Sequence, residues 1–547
     1  MTSGRLALVE RWYLRAGLFI LPLAYSWNTY DPYVLPKLLV ARLLVIGLLV
    51  LFLTRGFVTG SLVIKRTPLD LPLLAFVGSA ALSTLVAYNQ NVAVFGIYSR
   101  YDGLLTILTY AALLWLSVQA LAEPDDARVL VWVLLASGYF VAGIAILQLV
   151  TGGFAPAGGT LGQKNVLGAF LAMLCPLAYG LLVGARSWAA RVVGLNSLAM
   201  CGIALYLTFS RSAWLGLGVA AVVVAIGVRG PSLRIGIAGV ALTLIVVGAI
   251  ALFSGSQVQR TDIGEFGDRP AVWRDSLDLI ASRPVLGYGP DNFGLVFPRF
   301  ETADLHQPWD KAHAETLQVA ATQGLVGLAA YVVLLGAFVV AFWRGRMRAG
   351  AVATFAAWVA YTTTLQLNFS ALAAAFPFWI FAACAMETWG ASRSSAVIAI
   401  TKTRPLAAAG SVGVAGLLAL AALATVLPYL ADARLVVAVN ADFHGRIRDA
   451  EASAQQARML WPRESVYAVE VGNIAFERGE WVAAREAYGD SARLGTYNPL
   501  VYRNLALADR HLGLLSEGEA AARKAVELDR FDPANRALLA EFQAATP

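Results

Sequence analysis

Residues 315–343 read ETLQVAATQGLVGLAAYVVLLGAFVVAFW. After Glu315 this stretch has no charged side chain, and it is longer than the roughly 20 apolar residues that a helix needs to cross a bilayer. Similar runs recur along the 547 residues, of which 58% are hydrophobic and only 14% are charged. The sequence therefore predicts an all-α, polytopic transmembrane helical bundle.

Apolar runs of this kind predict about twelve or thirteen spans, of which the first and eighth are short. They lie at about 16–29, 34–54, 68–88, 103–121, 129–151, 165–185, 189–209, 212–228, 233–253, 315–343, 350–370, 372–391 and 405–430. We predict that residues 1–430 form a membrane domain and that residues 431–547 form a second domain.

The basic residues of the short loops orient the bundle. With the amino terminus inside, the predicted cytoplasmic segments hold seventeen Lys and Arg residues, whereas the short outer loops hold only Lys37, Arg100, Lys164 and Arg211. The positive-inside rule then places residues 254–315 and the carboxyl-terminal domain outside the membrane. The net charge of +7 is thus mainly a topology signal, and we expect no nucleic-acid partner because no basic stripe is present.

A polar segment, Ser254 to Glu315, separates the ninth and tenth predicted spans. No other long polar segment lies within the first 430 residues, so we expect the chemistry of the protein here. Its basic residues and histidines are Arg260, Arg269, Arg274, Arg283, Arg299, His306, Lys311 and His313. Within it, residues 269–282 place Trp273, Leu277 and Ile280 at helical spacing, which predicts a short amphipathic helix with these three on its apolar face.

The tail after Tyr429 has a different composition and a period of 34 residues. Asn498-Pro499 recurs as Asp532-Pro533, and Gly479 recurs as Gly513. This is the spacing of tetratricopeptide repeats, and it predicts about two and a half repeats of an α-solenoid over residues 432–545. Two interpretations remain open: the repeats dock a protein partner or acceptor, or they cap the outer face of the bundle.

Two outer loops carry cations close to the membrane surface. Lys164 and Asn165 follow a glycine-rich segment at a helix start, which favours an anion, although a simple turn with an Asn cap is the alternative. Arg211 lies between two spans with no carboxylate nearby in sequence, so we expect a ligand phosphate as its partner rather than a snorkelling role. For Arg100 the simpler interpretation is a loop ion pair with Asp102.

His313 stands two residues before Glu315, where the chain re-enters the membrane. An imidazole there could accept a proton from a hydroxyl near neutral pH, although an interfacial polar residue is the alternative. His306 has a weaker claim, and the pair lacks the ligand spacing of a metal site, so no metal or cofactor is expected. Together these residues indicate group transfer from a lipid-linked phosphate.

Four segments resemble the bacterial O-antigen ligase and polymerase-like membrane glycosyltransferases. They are Gly159-Thr-Leu-Gly-Gln-Lys-Asn165-Val-Leu-Gly, Ser210-Arg211-Ser-Ala-Trp214, Arg269-x-x-x-Trp273 with Arg283-Pro-Val-Leu-Gly-Tyr-Gly-Pro-Asp-Asn-Phe293, and Ala312-His313-Ala-Glu315-Thr-Leu-Gln with Gly324-x-x-Gly327. The resemblance spans residues 80–390, and its segments occur in the family's order. Gln163-Lys164 replaces the family's Asn-Pro, and Ala314 replaces its usual Asn.

The resemblance implies a GT-C-like, metal-independent, inverting enzyme of the bacterial cytoplasmic membrane. Its donor would be a polyprenyl-pyrophosphate-linked glycan, and its acceptor a hydroxyl on a lipid, protein or polysaccharide. His313 would be the general base, while Arg211 and Arg269 would bind the pyrophosphate. Further substrate contacts would come from Lys164, Asn165, Arg100, Arg274, Glu315 and Trp273.

Two rival functions stay open at this point. A polymerase of the same family would use the same donor chemistry. A transporter or flippase of lipid-linked sugars would need charges along a path at mid-membrane depth, and the predicted spans are nearly free of them.

Overall fold

A computed structural model describes residues 3–121, 124–152, 158–227, 267–305, 308–399 and 404–545. The ninth predicted span, Arg260 and His306 lie outside the described residues. The helices and strands are α1 Ser3–Leu23, α2 Val34–Thr59, β1 Ser61–Arg66, α3 Asp70–Leu85, α4 Gln90–Phe95, α5 Leu104–Ala120, α6 Pro124–Gly152, α7 Lys164–Gly184, α8 Trp188–Leu207, α9 Arg211–Gly227, α10 Arg269–Ser282, α11 Phe293–Val296, α12 Glu315–Gly345, α13 Ala351–Leu365, α14 Leu372–Thr388, β2 Arg393–Ala399, α15 Arg404–Phe443, α16 Ile447–Leu460, α17 Ser465–Glu477, α18 Trp481–Leu494, α19 Pro499–His511, α20 Leu515–Leu528 and α21 Pro533–Ala545.

The described helices agree with a polytopic membrane protein. Among the described residues, six helices are long and apolar enough to cross a bilayer, and five further apolar helices are shorter. Twelve helices lie where twelve of the thirteen spans were predicted. Two of them form the centre of the bundle: residues 165–178 of α7 are all buried, as is nearly all of α14.

The first helix begins thirteen residues before the predicted span, which started at residue 16. Its amino-terminal half is charged, so hydropathy alone missed it. The charges are compensated by other helices, since Glu10 pairs with Arg55 at 3.2 Å, and Asp126 receives both Arg11 and Arg15 at 3.2 and 2.9 Å.

The expectation of an all-α fold is wrong in one place. Strands β1 and β2 pair antiparallel, from Ser61 opposite Ala399 to Arg66 opposite Arg393, with an irregularity after Ile64. The side chain of Gln119 extends the pairing, because it accepts a hydrogen bond from Lys65 N at 2.8 Å and donates one to Lys65 O at 3.0 Å. The two strands join loops that are more than 300 residues apart in sequence.

We call the opposite end of the bundle the site face; it comprises segments 24–33, 86–103, 158–163, 208–210, 267–305, 308–314 and 366–371. All of these segments were predicted to lie outside the membrane. The carboxyl-terminal helices pack on the same face, where Asn89 and Asn91 donate to the backbone carbonyls of Arg493 and Leu494 at 3.2 and 3.0 Å. Segments assigned to one side by charge therefore share one face of the structure.

Helix α12 is broken at Gly324, whose φ of 67° and ψ of −170° are not helical. Residues 283–289 pack against the break and form backbone hydrogen bonds with α12 on both sides of it. Leu325 N donates to Pro284 O at 2.7 Å on one side of it, and Gly289 N donates to Thr322 O at 2.8 Å on the other. Backbone groups that the break would leave unsatisfied inside the bundle are therefore paired.

Helix α15 does not end at the composition change near residue 430 but continues to Phe443. No glycine or proline interrupts residues 430–443, and the chain turns only at Gly445, where φ is 69°. Six helices follow in pairs. Helices α16, α18 and α20 begin 34 residues apart, as do α17, α19 and α21.

Candidate functional site

His313 lies on the site face, at the end of the polar segment, and only 6% of its surface is exposed. Its imidazole lies between the ring edges of Trp309 and Phe369, with centroid distances of 4.8 and 4.9 Å. The backbone beside it is fixed by Trp273, whose Nε1 donates to Ala312 O at 3.1 Å. The ring is therefore oriented by aromatic packing at a position where Ala314 offers no side-chain hydrogen bond.

Two arginines lie close to this histidine. Arg100 forms a two-bond ion pair with Asp310, including Nη2 to Oδ1 at 3.2 Å, and its guanidinium lies 5.1 Å from the ring centroid of Phe369. Arg269 is buried at the start of α10 and donates from Nη1 to Leu367 O at 2.7 Å. The expected pairing of Arg100 with Asp102 is thus wrong, because Asp102 is engaged elsewhere.

These cations and burial together set the protonation of His313. Burial lowers the pKa of the imidazole most, and the charges of Arg269, Arg100 and Lys311 lower it further, to well below its usual value. The neutral imidazole is consequently the form present at neutral pH. In that form a ring nitrogen can accept a proton, and among the described residues Nδ1 has no hydrogen-bond partner.

Lys311 anchors the same loop in the bundle. Its ammonium contacts Asp291 at 2.7 Å and Asp102 at 3.0 Å, and Asp291 also accepts backbone hydrogen bonds from Ile97 and Asp102 at 2.7 and 3.1 Å. Burial alone would lower the pKa of Lys311, but the two carboxylates outweigh it, so the pKa is raised and the amine stays charged. The ion triad holds the His313 loop against the loop that carries Arg100.

A cavity of about 460 Å³ opens beside Arg100 and Phe369. Its lining combines four loops of the site face: 30–34, 98–102, 161–166 and 369–373. Charged, aromatic and backbone groups are all present there, so it could receive a polar substrate next to the His313 cluster.

Lys164 and Asn165 begin α7 next to this cavity, but Asn165 is not a helix cap. Gln163 occupies the cap position, and the buried amide oxygen of Asn165 accepts a hydrogen bond from Ser210 Oγ at 3.0 Å. This bond joins the start of α7 to the start of α9, where Arg211 is the first residue. The structure thus brings the Lys164 and Arg211 segments together, and Gly162 and Gln163, which precede Lys164, line the cavity.

Two other candidates have different surroundings. Arg274 points away from His313; its side chain is 63% exposed and bonds to Asp275 and Thr302. Glu315 lies at the start of α12 and accepts a hydrogen bond from Ser370 N at 2.7 Å, so it holds the loop that carries Phe369. It also lines a second cavity, of about 100 Å³, deeper in the bundle.

The amphipathic helix occupies its predicted range, but its buried face is shifted: Trp273 and Ile280 are half-buried, and the prediction is wrong for Leu277. Leu277 is 56% exposed, and the buried residues are Arg269, Val272, Asp275, Ser276 and Leu279. This face packs on a buried cluster around Phe293 and Val296, and on α12. The small Ser276 and the guanidinium of Arg269 occupy buried positions that a hydropathy pattern assigns to large apolar residues.

The site face also concentrates backbone strain. Five non-glycine residues of the described chain have positive φ, and all of them lie in loops of this face: Ser99, Tyr101, Phe209, Asp291 and His313. Positive φ is costly for a residue with a Cβ, and such positions cluster where the surroundings fix a functional geometry. These five flank Arg100, precede Arg211 and include the histidine itself.

Several members of the site were not among the sequence candidates: Asp291, Asp310, Lys311, Trp309 and Phe369. Lys311 was visible as a charge in the polar segment, and Asp291 lies within the Gly-Tyr-Gly-Pro-Asp-Asn motif. Phe369 gave no signal, because an aromatic residue between two apolar runs is ordinary. No group of three or more His, Cys, Asp and Glu side chains that could hold a metal ion occurs in the described part of the chain.

Fold and site thus define a polytopic helical membrane protein with a buried histidine and arginines on one face. Residues 196–332 match the family model described as O-antigen ligase. Over these residues the chain is similar to the O-antigen ligase family, which supports a membrane enzyme of the ligase and polymerase kind. The matched range contains Arg211, Arg269 and His313. A comparison with curated proteins found no match.

Proposed function

We propose that the protein transfers a glycan from a polyprenyl-pyrophosphate carrier to an acceptor hydroxyl outside the bacterial cytoplasmic membrane. The observation that carries this proposal is the clustering of His313, Arg269 and Arg100 around Phe369, because Arg100 and Phe369 line an open cavity. A buried neutral imidazole among cations suits a reaction in which a hydroxyl loses a proton while an anion departs. The O-antigen ligase match includes His313 and Arg269, and also Arg211, but not Arg100.

The reaction can be written with these groups. The acceptor oxygen attacks the anomeric carbon of the donor sugar as the bond from that carbon to the pyrophosphate oxygen breaks. The acceptor proton passes to His313, and the electron pair of the broken bond stays on the pyrophosphate. Arg269 and Arg211 bind the leaving group and stabilise its added charge. Attack opposite the leaving group inverts the anomeric centre.

Donor binding also strengthens the base. Without substrate, Arg269, Arg100 and Lys311 lower the pKa of His313. A pyrophosphate beside these cations offsets part of their field and so raises the affinity of the imidazole for a proton. The base is therefore strongest when the donor is in place, which couples deprotonation of the acceptor to the presence of its partner.

A His313→Gln variant tests the base directly. Transfer from a synthetic polyprenyl-pyrophosphate glycan should fall by about 100-fold or more, the usual contribution of a general base. His444→Gln is the matched control, because His444 is an exposed histidine outside the site face, and it should retain wild-type transfer. Both variants should be extracted from the membrane in the same yield as the wild type and should unfold at the same denaturant concentration. Undiminished transfer by His313→Gln would exclude the proposed role.

The products of the reaction distinguish the proposed ligase from its rival functions. A ligase leaves one glycan on a foreign acceptor, whereas a polymerase lengthens the glycan on its own carrier, and mass spectrometry of the products distinguishes them. A flippase would move labelled donor across vesicles that contain no acceptor and would not need His313. The cation cluster on one face of the bundle favours transfer at that face over passage through the membrane.

We also propose that helices α16 to α21 are tetratricopeptide repeats and that the site face is the outer face. The 34-residue offset between successive helix pairs supports the first statement. The distribution of basic residues in the loops supports the second. The polyprenyl donor would then reach the site from the surrounding bilayer.

A further inference from the structure

The loop between α18 and α19, residues 495–498, is clamped onto the membrane domain. Gly495 has a φ of 101°, and a Cβ at this position would lie 2.6 Å from Val92 Cγ2. Asn91 donates to Leu494 O at 3.0 Å, and Thr496 is buried. The loop is therefore held against α4, the short helix that leads into the Arg100 loop.

Tyr497 extends from this clamped loop to the His313 neighbourhood. Its ring packs on the buried cluster that contains Trp309, Leu305 and Ala312. The charges that act most strongly on its phenol are those of Asp310 and its ion-pair partner Arg100, which lines the cavity. Its hydroxyl has no hydrogen bond to another residue of the described chain, and its side chain is only partly buried.

We propose that Tyr497 is a substrate-positioning residue, through which the carboxyl-terminal helices supply part of the wall of the transfer site and bind a sugar ring of the substrate. This inference rests on the proposed function and extends it to a residue outside the membrane domain. The ring of a tyrosine offers an apolar face for the C–H groups of a sugar, and its hydroxyl can both donate to and accept from sugar hydroxyls. The ring of Tyr497 is already held by packing, so little conformational entropy is lost on binding.

The protonation of Tyr497 fits this role. Burial raises the pKa of its phenol most, and the neighbouring Asp310 raises it further, to about 12. The hydroxyl therefore keeps its proton throughout the physiological pH range and remains a hydrogen-bond donor.

The test compares two carriers, polyprenyl pyrophosphate with and without a disaccharide, on purified full-length protein. Tyr497→Ala should weaken binding of the disaccharide carrier by about 10-fold, as expected for loss of a packing face and a hydrogen bond, and leave the bare carrier unchanged. Tyr497→Phe, which keeps the ring, should bind the disaccharide carrier with an affinity between those of the wild type and Tyr497→Ala. Leu500→Ala, an exposed change three residues away, should behave as wild type.

The same variants show whether the sugar that Tyr497 binds belongs to the donor or to the acceptor. Weaker binding of the disaccharide carrier identifies the donor glycan as the ligand. Unchanged carrier binding with an approximately tenfold higher KM for the acceptor, at constant kcat, identifies the acceptor sugar. If the Tyr497 variants change neither carrier binding nor the KM for the acceptor, the assignment of Tyr497 is wrong. Glycan transfer by the wild-type protein would still support the proposed function. Wild-type protein that binds neither carrier would overturn both. Unfolding midpoints that match the wild type exclude a purely structural effect.

Discussion

The substitution Gly324→Ala tests whether helix α12 is broken at this residue. An ordinary helix would accept the added methyl group, whereas the break would not. In Gly324→Ala the new Cβ would meet the carbonyl oxygen of Val285 well inside van der Waals contact. Alanine must also adopt a φ of 67° with a ψ of −170°, a region that is essentially restricted to glycine, which costs about 1–3 kcal/mol. Moving the 283–289 segment aside would disturb the hydrogen bonds from Leu325 N to Pro284 O and from Val326 N to Val285 O, worth about 1 kcal/mol each. The expected loss is about 3–5 kcal/mol.

The same helix provides the control. Gly336 is helical, and a Cβ there would meet nothing within 4 Å. Gly336→Ala should therefore stabilise the helix by about 0.5–1 kcal/mol through the lower conformational entropy of the unfolded chain. The two variants make the same chemical change in one helix and should shift stability in opposite directions.

The measurement is denaturant unfolding of the detergent-solubilised protein, followed by tryptophan fluorescence. Transfer activity should fall with Gly324→Ala as well, because the displaced segment leads to Asp291 and so to the Lys311 triad. If Gly324→Ala unfolds at the same denaturant concentration as Gly336→Ala, then α12 is not broken at Gly324 and residues 283–289 do not pack against such a break.

Two further outcomes follow from buried charges. Lys311→Met should cost about 3–5 kcal/mol of unfolding free energy, because it leaves Asp102 and Asp291 buried without their cation; adding Asp102→Asn should restore part of the loss, and wild-type stability of Lys311→Met would contradict the triad. Burial raises the pKa of Glu464 to about 8 from 4.5, so the folded protein binds the extra proton between these values and stability falls as pH rises through that window. Glu464→Gln should match the wild type near pH 4 and exceed it above pH 8; parallel stability curves across pH would refute this.

Sequence periodicity gave the positions of the helices but not their packing. Helix α10 occupies the range that its pattern predicts, yet Leu277 faces outward because the groove around Phe293 accepts the stripe of Val272, Ser276 and Leu279. That groove comes from residues later in the chain, so no local pattern contains it. Gly324 poses the same problem. A Gly-x-x-Gly spacing suits helix packing equally well, and only the tertiary position of Val285 explains why Gly324 breaks the helix.

Charge pairing was equally hard to predict. Arg100 and Asp102 are two residues apart, which made them natural partners, but their side chains belong to different ion pairs with Asp310 and Lys311. The positive φ at Ser99 and Tyr101 on either side of Arg100 separates the directions of these side chains. Residue type and position identified His313 as a candidate and the family resemblance added Arg269, whereas the orientation of each side chain depended on backbone geometry that a sequence does not display.

The change in composition near residue 430 suggests two separable parts, but the contacts join them closely. Asp432 is fully buried and accepts hydrogen bonds from Asp31 N at 2.9 Å and from the hydroxyl of Tyr98 at 2.5 Å. Asp31 and Tyr98 both line the cavity beside Arg100. A carboxylate on the helix that leads into the carboxyl-terminal helices therefore fixes two walls of the candidate substrate cavity, and Tyr497 approaches the same region from those helices. Because a buried carboxylate loses much free energy without its donors, the positions of the tail and of the cavity loops are energetically linked, and the site is a property of the whole chain.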